Sequence, residues 1–314
     1  MIDPCARIVI TGAAGLVGQN LVVELESQGC TNLVCIDKHT YNLDILRQLH
    51  PRVETVESDL SEDGNWNDAF EGADCVVLLH AQITGKHGAD FIRNNIDATR
   101  QVLEACRKRK VPYLIHVSSS VVNSNAADHY TATKRAQEEL VVRSGIRHCV
   151  LRPTLMFGWF DPKHLGWLSR FMARTPVFPI PGDGRFMRQP LYERDFCRCI
   201  VDCLQRRPDG EAYDIVGDSR IDYVDIIRTI KRVKRLRTVL VHIPIGFFSF
   251  LLRVYSLFSR KPPFTADQLA ALTAGDNFTG VDTQAVFNVE QTPFEAAACE
   301  AFCDPHYAHV VLKR

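Results

Sequence analysis

Net charge is the first property that this sequence lacks. Its 314 residues carry 37 acidic and 37 basic side chains, so the formal charge is zero when histidine is neutral. Proteins that bind nucleic acids normally carry a basic excess, and the balance therefore argues against a nucleic-acid partner. Hydrophobic residues make up 46% and charged residues 24% of the chain. Those fractions are ordinary for a soluble globular protein and exclude a disordered or fibrous one.

Long hydrophobic runs are also absent. The most apolar stretch, residues 243–258, is shorter than the roughly 20 residues that a membrane-spanning helix needs, and it contains Pro244, Gly246 and Arg253. We therefore expect no transmembrane span. Asp3 and Pro4 interrupt the start of the chain, so we expect no secretory signal and a cytoplasmic location.

Cysteine, in contrast, is abundant, with 11 residues at irregular spacing. An odd number without an export signal predicts reduced thiols rather than disulfides. Cys197, Cys199 and Cys203 form a tight cluster, but ligands on one amphipathic segment do not converge on a metal ion from several directions. We expect these thiols to be structural, and we expect no metal site.

Short apolar segments alternate with helical ones in the first half of the chain. Because they are continuous apolar runs, these segments predict strands that are buried on both faces of a sheet. Strand and helix in alternation imply right-handed crossovers, so the expected class is α/β with a doubly wound parallel sheet. The predicted strands cover residues 7–11, 33–37, 53–57, 75–79, 114–118 and 148–151, and the main helices cover residues 15–28, 89–110 and 130–143.

The pattern changes after Arg152, where prolines interrupt the chain repeatedly. We therefore divide the chain into a first domain, residues 1–152, with strand contributions that continue to about residue 216, and a smaller substrate-binding region, residues 153–314. The second region is expected to form the far wall of a cleft. Its predicted helices cover residues 165–173, 222–233, 246–258 and 265–273.

A glycine-rich turn, TGAAGLVG at residues 11–18, follows the first strand and opens the first helix. Gly12 permits the tight turn, Gly15 lets the backbone approach a pyrophosphate, and Gly18 lets helix and strand pack closely. Leu16 and Val17 begin the helix, whose free N–H groups face the anion. The turn, with the strand before it and the helix after it, predicts a dinucleotide site in a Rossmann domain.

An acidic residue at the end of the second strand indicates which dinucleotide binds. Asp37 is placed to accept hydrogen bonds from the adenosine ribose and to repel a 2′-phosphate, so we favour NAD over NADP. The neighbouring Lys38 weakens this preference, because a cation there can accept the phosphate. Asp59 and Leu60 follow the third strand and are placed to meet the adenine, and an equally good interpretation of Asp59 is a helix N-cap.

A tyrosine and a lysine four residues apart indicate proton-transfer chemistry. Tyr130 and Lys134 share one face of a helix, and an adjacent ammonium lowers the pKa of a phenol. Ser118, Ser119 and Ser120 end the fifth strand, at the edge where open α/β sheets bind ligands. A hydroxyl there can hydrogen-bond a substrate oxygen as its proton leaves. Neither pattern is specific alone, but with the glycine turn upstream they indicate a catalytic site.

In this order, the motifs resemble the extended short-chain dehydrogenase/reductase superfamily, and within it the NAD-dependent epimerase/dehydratase family. The resemblance covers residues 7 to about 216 and also rests on YTATK at residues 130–134 and NIDAT at residues 95–99. It implies NAD as the cofactor and Tyr130 as the acid/base. It further implies Lys134 as the partner of Tyr130, also holding the nicotinamide ribose, and Ser119 as the catalytic hydroxyl, with Ser120 as second choice.

The same resemblance implies a substrate side for the cleft. In members that act on nucleotide sugars, an arginine after a Gly-Asp-Gly segment contacts the diphosphate, and Arg188 is the matching residue. A guanidinium suits a diphosphate because its fork bonds two oxygens at once. The alternative is an ordinary surface arginine. Thr154, which follows an Arg-Pro pair typical of the family, and Ser120 are the other expected substrate residues.

Three departures from the family pattern bear on the substrate. Ser119 and Tyr130 are eleven residues apart where a longer insertion is common, so we expect a short loop over the substrate. The segment HAQ at residues 80–82 stands where small alanines are usual. We expect Ala81 at the cofactor and its polar neighbours in the cleft. The segment SVV at residues 120–122 lacks the acidic pair of sugar 4,6-dehydratases, which disfavours dehydration.

A basic segment, RTIKRVKRLR at residues 228–237, precedes the apolar stretch 243–258. Adjacent basic and apolar segments can dock on an anionic membrane surface, so weak membrane-surface contact is one interpretation. The other is a solvated helix followed by a packed one.

Together these observations predict an NAD-dependent oxidoreductase or epimerase that transfers a hydride at C4 of a nucleotide-activated sugar. We expect an epimerase rather than a ketoreductase, because Asp37 favours NAD and epimerases can keep it bound. Two alternatives stay open. One is a hydroxysteroid-type or other hydrophobic-alcohol dehydrogenase, and the other is a non-catalytic dinucleotide-binding subunit, which the segment QPLY at residues 189–192 resembles. Relatives often pair through helices like 89–110 and 128–144, so we expect a homodimer.

Overall fold

A parallel sheet organises the computed structural model, which describes residues 2–124, 126, 128–258, 269 and 272–313. The strands in chain order are β1 (Ile8–Thr11), β2 (Leu33–Asp37), β3 (Glu54–Glu57), β4 (Cys75–Leu78), β5 (Leu114–Val117), β6 (His148–Pro153), β7 (Met156–Phe157), β8 (Val177–Pro181), β9 (Met187–Arg188), β10 (Leu191–Tyr192), β11 (Glu211–Ile215), β12 (Ile221–Asp222) and β13 (Val239–Ile243). The helices are α1 (Leu16–Ser27), α2 (Thr40–Leu49), α3 (Gly88–Phe91), α4 (Ala98–Lys108), α5 (His129–Val142), α6 (His164–Arg174), α7 (Glu193–Arg206), α8 (Tyr223–Val233), α9 (Ile245–Phe258), α10 (Thr283–Phe287) and α11 (Phe294–Cys303).

Seven of the described strands form the central sheet in the order β11-β6-β5-β4-β1-β2-β3, and each neighbouring pair is parallel. The order reverses between β1 and β4, which opens a crevice at their carboxyl ends. Every residue of β1, β4 and β5 is buried, as continuous apolar runs predict. The prediction of a doubly wound α/β sheet is confirmed.

The two faces of the sheet carry separate cores. Ile8 and Ile10 pack with residues of α1 and α7 on one face, including Leu21 and Phe196. The intervening Val9 packs on the other face with residues of α4. Because neighbouring residues of a strand point to opposite faces, one short apolar run serves both cores.

The predicted long helix 89–110 is interrupted. The chain forms α3, then a π-helical segment over Ile92–Asp97, and then α4. Inside the π-helical segment, the Asn95 side chain accepts a hydrogen bond from the backbone N–H of Gln82 at 2.5 Å and donates to the Thr133 hydroxyl at 2.9 Å. The π-helical turn thus occurs where Asn95 contacts two other segments of the chain. Helical periodicity in the sequence does not reveal these contacts.

The chain after Arg152 contributes to two parts of the molecule. β11 pairs with β6, and α7 packs against α1, so residues up to 216 complete the sheet layer. β7–β10, β8–β13 and β9–β12 form two-stranded sheets, and a third core joins α6, α8 and α11. Most of the predicted helix 265–273 lies outside the described residues.

All eleven cysteines are free thiols, and Cys197, Cys199 and Cys203 are buried in α7. Among the helices that the structure describes, none has the length and apolar character needed to cross a bilayer.

Candidate active site

A cavity of about 650 Å³ opens at the carboxyl ends of β1, β4 and β5. Residues 153–156, from the end of β6 to the start of β7, form its opposite wall, together with Arg188 of β9 and residues near position 276. The cavity brings together every site residue that the sequence predicts: Gly12, Gly15, Leu16, Val17, Gly18, Asp37, Asp59, Leu60, Ala81, Ser119, Ser120, Tyr130, Lys134, Thr154 and Arg188.

Two glycines of the turn, Gly12 and Gly18, leave no room for a side chain. Gly12 has φ of +71°, and a Cβ atom there would lie 2.6 Å from the backbone nitrogen of His80. A Cβ atom on Gly18 would lie 2.3 Å from the carbonyl oxygen of Ala13. Gly15 precedes α1, and no side chain of the described residues caps this helix, so its first N–H groups are available to an anion. A backbone cradle of this kind fits a dinucleotide pyrophosphate.

Asp37 is fixed at the end of β2. One carboxylate oxygen accepts the Ala14 N–H at 2.9 Å, and the other accepts the His39 N–H at 2.9 Å. Burial raises the pKa of Asp37, and these two hydrogen bonds act in the opposite direction. The carboxylate therefore lies beside the glycine turn, where a ribose would meet it.

Lys38 is engaged by an acidic partner. Its ammonium lies 3.1 Å from a carboxylate oxygen of Asp59 and 2.5 Å from the side-chain oxygen of Asn94. Asp59 also accepts the Ser61 N–H at 3.0 Å, so it caps a turn rather than a helix. Because Asp59 offsets the charge of Lys38, the cation that weakened the preference for NAD is partly neutralised.

Tyr130 and Ser119 meet at the cavity. Ser119 caps the 3-10 helix Ser120–Asn123, and Tyr130 lies in the first turn of α5. Burial raises the pKa of Tyr130, while a hydrogen bond with the Ser119 side chain lowers it and the charge of Asp128 raises it. The pKa of the phenol is therefore raised here, whereas the spacing of Tyr130 and Lys134 on one helix predicts that the lysine lowers it.

Lys134, which is only 1% exposed, does not oppose this rise because its ammonium is engaged elsewhere. Its ammonium donates to the Val117 carbonyl at 3.0 Å and to the side-chain oxygen of Gln137 at 2.6 Å. Burial lowers its pKa to about 7, and the charge of Glu138 acts in the opposite direction. Near neutral pH, the lysine is therefore only partly charged, and its protons point toward the protein interior.

Gln137 connects Lys134 to a buried polar chain that sequence reasoning missed. The Gln137 amide donates to the Thr99 hydroxyl at 2.9 Å. That hydroxyl lies 3.0 Å from Nε2 of His80, whose Nδ1 lies 2.8 Å from the Thr11 hydroxyl. Burial lowers the pKa of His80 to about 3, so the ring is neutral. Two signals for these contacts were available in the sequence: the spacing of Gln137, three residues after Lys134 on a helix, and the polar His80 where small alanines are usual.

The substrate side combines one ion pair with apolar groups. Nε of Arg188 lies 3.2 Å from a carboxylate oxygen of Asp276, and the Arg188 side chain is 18% exposed. Its Nη1 and the Thr154 hydroxyl are buried without a hydrogen-bond partner among the described residues. Ile83, Leu155 and Phe278 are exposed along the same cavity. Nothing in the sequence connects Asp276 or Phe278 with a site almost 90 residues away.

Comparison with known proteins shows the family of this chain. The model of the NAD dependent epimerase/dehydratase family matches residues 8–216. The chain belongs to this family. The predicted resemblance and the predicted cofactor, NAD, are confirmed. The glycine cradle and Asp37 fit that cofactor.

Curated relatives differ in the substrates that their names give. The ceramide reductase of Caulobacter vibrioides is 29% identical over 181 residues, which cover 57% of this chain and 55% of the relative, so the match spans about half its length. The dTDP-glucose 4,6-dehydratase of Streptomyces niveus is 24% identical and covers 71% of this chain and 76% of the relative. A farnesyl-dihydroquinoline-oxide ketoreductase of Stigmatella aurantiaca is 25% identical, and the match covers 76% of each chain.

Solved structures show the same fold. UDP-glucuronic acid 4-epimerase from Bacillus cereus, in complex with NAD, superposes with a TM-score of 0.70 at 22% identity and covers 94% of this chain and 96% of that one. The enzyme WbmH of Bordetella bronchiseptica, in complex with NAD⁺, superposes with a TM-score of 0.74 at 15% identity and covers 94% of this chain and 97% of that one.

Proposed function

We propose that this protein is an NAD-dependent oxidoreductase or epimerase that transfers a hydride at C4 of a nucleotide-activated sugar. The observation that supports the chemistry is the convergence of Ser119, Tyr130 and Lys134 on one cavity with the glycine cradle and Asp37. The same convergence argues against a non-catalytic dinucleotide-binding subunit, which has no need of the three groups together.

Each side chain has a separate role in this proposal. NAD, when bound, supplies the hydride acceptor and donor. Ser119 holds the substrate oxygen by a hydrogen bond, and Tyr130 takes the hydroxyl proton or returns it. Because burial raises the pKa of Tyr130, the resting phenol is protonated and ready to donate. A positive charge on Lys134 favours the opposite step, in which Tyr130 accepts a proton.

Dehydration is disfavoured by the state of the cavity's carboxylates. The acidic side chains among the described lining residues are Asp37, Asp59 and Asp276. Asp37 accepts two backbone hydrogen bonds, Asp59 pairs with Lys38, and Asp276 pairs with Arg188. None of the three is free to abstract a proton beside the reacting carbon. An epimerase or ketoreductase needs no such group, and we propose the epimerase because bound NAD is regenerated within each cycle.

Arg188 supports the nucleotide sugar as substrate. The Arg188 side chain lines the cavity and is 18% exposed, so its guanidinium can bond a phosphate oxygen there while Nε keeps its contact with Asp276. Thermal-shift measurements with UDP, dTDP and GDP test this assignment. At least one should raise the melting temperature of the wild type, and Arg188→Gln should remove the shift while Asp276→Asn keeps it. If none of the three nucleotides stabilises the wild type, a nucleotide-sugar substrate is ruled out.

A hydrophobic alcohol is the second candidate. Ile83 is 57% exposed at the cavity, and Leu155 and Phe278 are also exposed there, which suits an apolar substrate. Relatives named as a ceramide reductase and a farnesyl-dihydroquinoline-oxide ketoreductase point the same way. This candidate predicts no thermal shift with nucleoside diphosphates, together with NAD-dependent oxidation of a long-chain or steroid alcohol.

A further inference from the structure

An exposed apolar surface lies on β13 and α9, away from the residues proposed to act on the substrate. We call it the β13–α9 face and define it by Val239, Val241, Ile245, Phe247, Phe250 and Leu251. Val239 is 57%, Phe247 56% and Phe250 59% exposed. Of the thirteen large apolar side chains that are exposed in the described part of the chain, these six and the adjacent Val177 make up seven. Such a concentration on one surface is typical of an interaction site.

The local structure explains why these side chains point outward. β13 pairs in parallel with β8, with Val177 opposite Val239, and these two strands alone form that small sheet in the described structure. Alternate residues of β13 therefore face away from the core. In α9, Phe247, Phe250 and Leu251 have the spacing i, i+3, i+4, which places them on one side of the helix.

Positive charge lies beside one end of the β13–α9 face. Residues 223–258 contain seven lysines and arginines against one aspartate, although the whole chain is neutral. Arg174 and Arg237 shortly precede the paired starts of β8 and β13, and both are exposed. Neither they nor Arg235 forms an ion pair with a described residue. Uncompensated arginines next to exposed apolar side chains complement a lipid bilayer whose headgroups are anionic and whose interior is apolar.

We propose that the β13–α9 face docks on the surface of an anionic lipid bilayer. Phe247, Phe250 and Leu251 insert among the headgroups, and Arg235 and Arg237 contact lipid phosphates. α9 has 14 residues and spans roughly 21 Å, so it lies in the interface and does not cross the bilayer. A second copy of the chain is a poorer occupant, because it would bring the same positive surplus against this one. The proposal does not depend on the substrate of the active site.

Flotation of the full-length protein with vesicles tests the proposal. Vesicles of phosphatidylcholine with phosphatidylglycerol should carry the protein upward at low salt, and vesicles of phosphatidylcholine alone should carry much less. Phe247→Ser with Phe250→Ser should reduce the bound fraction roughly tenfold. Arg235→Glu with Arg237→Glu should do the same, and this pair leaves the apolar residues intact.

Matched variants elsewhere on the surface serve as controls. Ile92→Ser with Val142→Ser removes two exposed apolar side chains, and Arg52→Glu with Lys108→Glu reverses two exposed charges. Both control pairs should float like the wild type. Equal binding to both vesicle types, no flotation, or equal loss in test and control variants would overturn the proposal. Loss of a dimer in Phe247→Ser with Phe250→Ser, measured by sedimentation, without vesicle binding by the wild type, would assign the face to a second copy instead.

Discussion

At the scale of single residues, the chemistry of the active site depends on the pKa values of two buried groups. Tyr130 is surrounded so that its neutral form is favoured, and Lys134 is surrounded so that its charged form is disfavoured. Both effects come mainly from burial, and both oppose the ionised pair that a tyrosine base requires. Substrate or cofactor binding must supply the compensating charge and hydrogen bonds, which ties proton transfer to occupancy of the cavity.

The buried lysine predicts a pH-dependent stability for the cofactor-free protein. Its pKa falls from 10.5 to about 7 on folding, so between these values the unfolded chain binds a proton that the folded chain does not. The free energy of unfolding of the wild type should therefore rise relative to Lys134→Met by roughly 1 kcal/mol per pH unit between about pH 7 and pH 10. Denaturant titrations across this range measure the difference, and Lys108→Met is the exposed control. A difference that stays constant with pH would show that Lys134 is not buried in this way.

The proposed acid/base predicts a selective loss of turnover. Tyr130→Phe removes the hydroxyl and keeps the ring, so NAD affinity should be unchanged while kcat falls by about 10²–10⁴-fold. Steady-state kinetics and calorimetric titration with NAD give the two quantities, and Tyr41→Phe on the exposed surface is the control. Normal turnover in Tyr130→Phe would assign the proton transfer to another group.

At the scale of elements, the close packing of β1 against α1 is what builds the cofactor cradle. A methyl group on Gly18 would overlap the Ala13 carbonyl, which is rigid backbone, so α1 would have to move. Gly18→Ala should lower the free energy of unfolding by about 1–3 kcal/mol and weaken NAD binding as well. Gly246→Ala is the matched control, because nothing lies within 4 Å of its added methyl. Denaturant titration and NAD titration check both effects. Wild-type NAD affinity in Gly18→Ala would contradict this account of the cradle.

Sequence reasoning succeeded for elements whose signal is local. Six of the seven sheet strands were predicted from local patterns, and the turn at residues 11–18 placed the cofactor cradle, because both depend on neighbouring residues. β11 is an edge strand with the sequence EAYDI, and for it the sequence predicted only strand contributions up to about residue 216. The π-helical segment at Ile92–Asp97 was not predicted, because it depends on Asn95 reaching Gln82 and Thr133 in other segments. Helical periodicity carries no record of such contacts.

The same limit applies to the site. The hydrogen-bonded side chains from Thr11 through His80 to Gln137 lie on β1, on the segment after β4 and on two helices. Which of them contact each other is determined only when these elements pack together. Asp276 contacts Arg188 only in the folded protein, because the two residues are far apart in the sequence. The sequence motifs therefore identified the side chains proposed to act in catalysis. They did not identify the side chains, such as Gln137 and Asp276, that fix the positions of site residues.

At the scale of the whole molecule, the central sheet and the later part of the chain form opposite walls of one cavity. A ligand that bridges the two walls should therefore stabilise the whole chain. NAD at about 100 times its Kd should raise the free energy of unfolding by about 2.7 kcal/mol. Asp37→Ser should reduce the stabilisation by NAD, because the ribose loses a hydrogen-bond acceptor. The same variant should increase the stabilisation by NADP, because the carboxylate that repels the 2′-phosphate is lost. Thermal unfolding with each dinucleotide gives the comparison, and an unchanged preference in Asp37→Ser would remove Asp37 from cofactor selection.

A crystal structure of the NAD complex tests the central claim most directly. The account predicts the pyrophosphate against the backbone of Gly12 and Gly15, the adenosine ribose on Asp37, and the nicotinamide beside Tyr130, Ser119 and Lys134. A dinucleotide bound with its nicotinamide away from Tyr130, or bound outside the glycine turn, would contradict it.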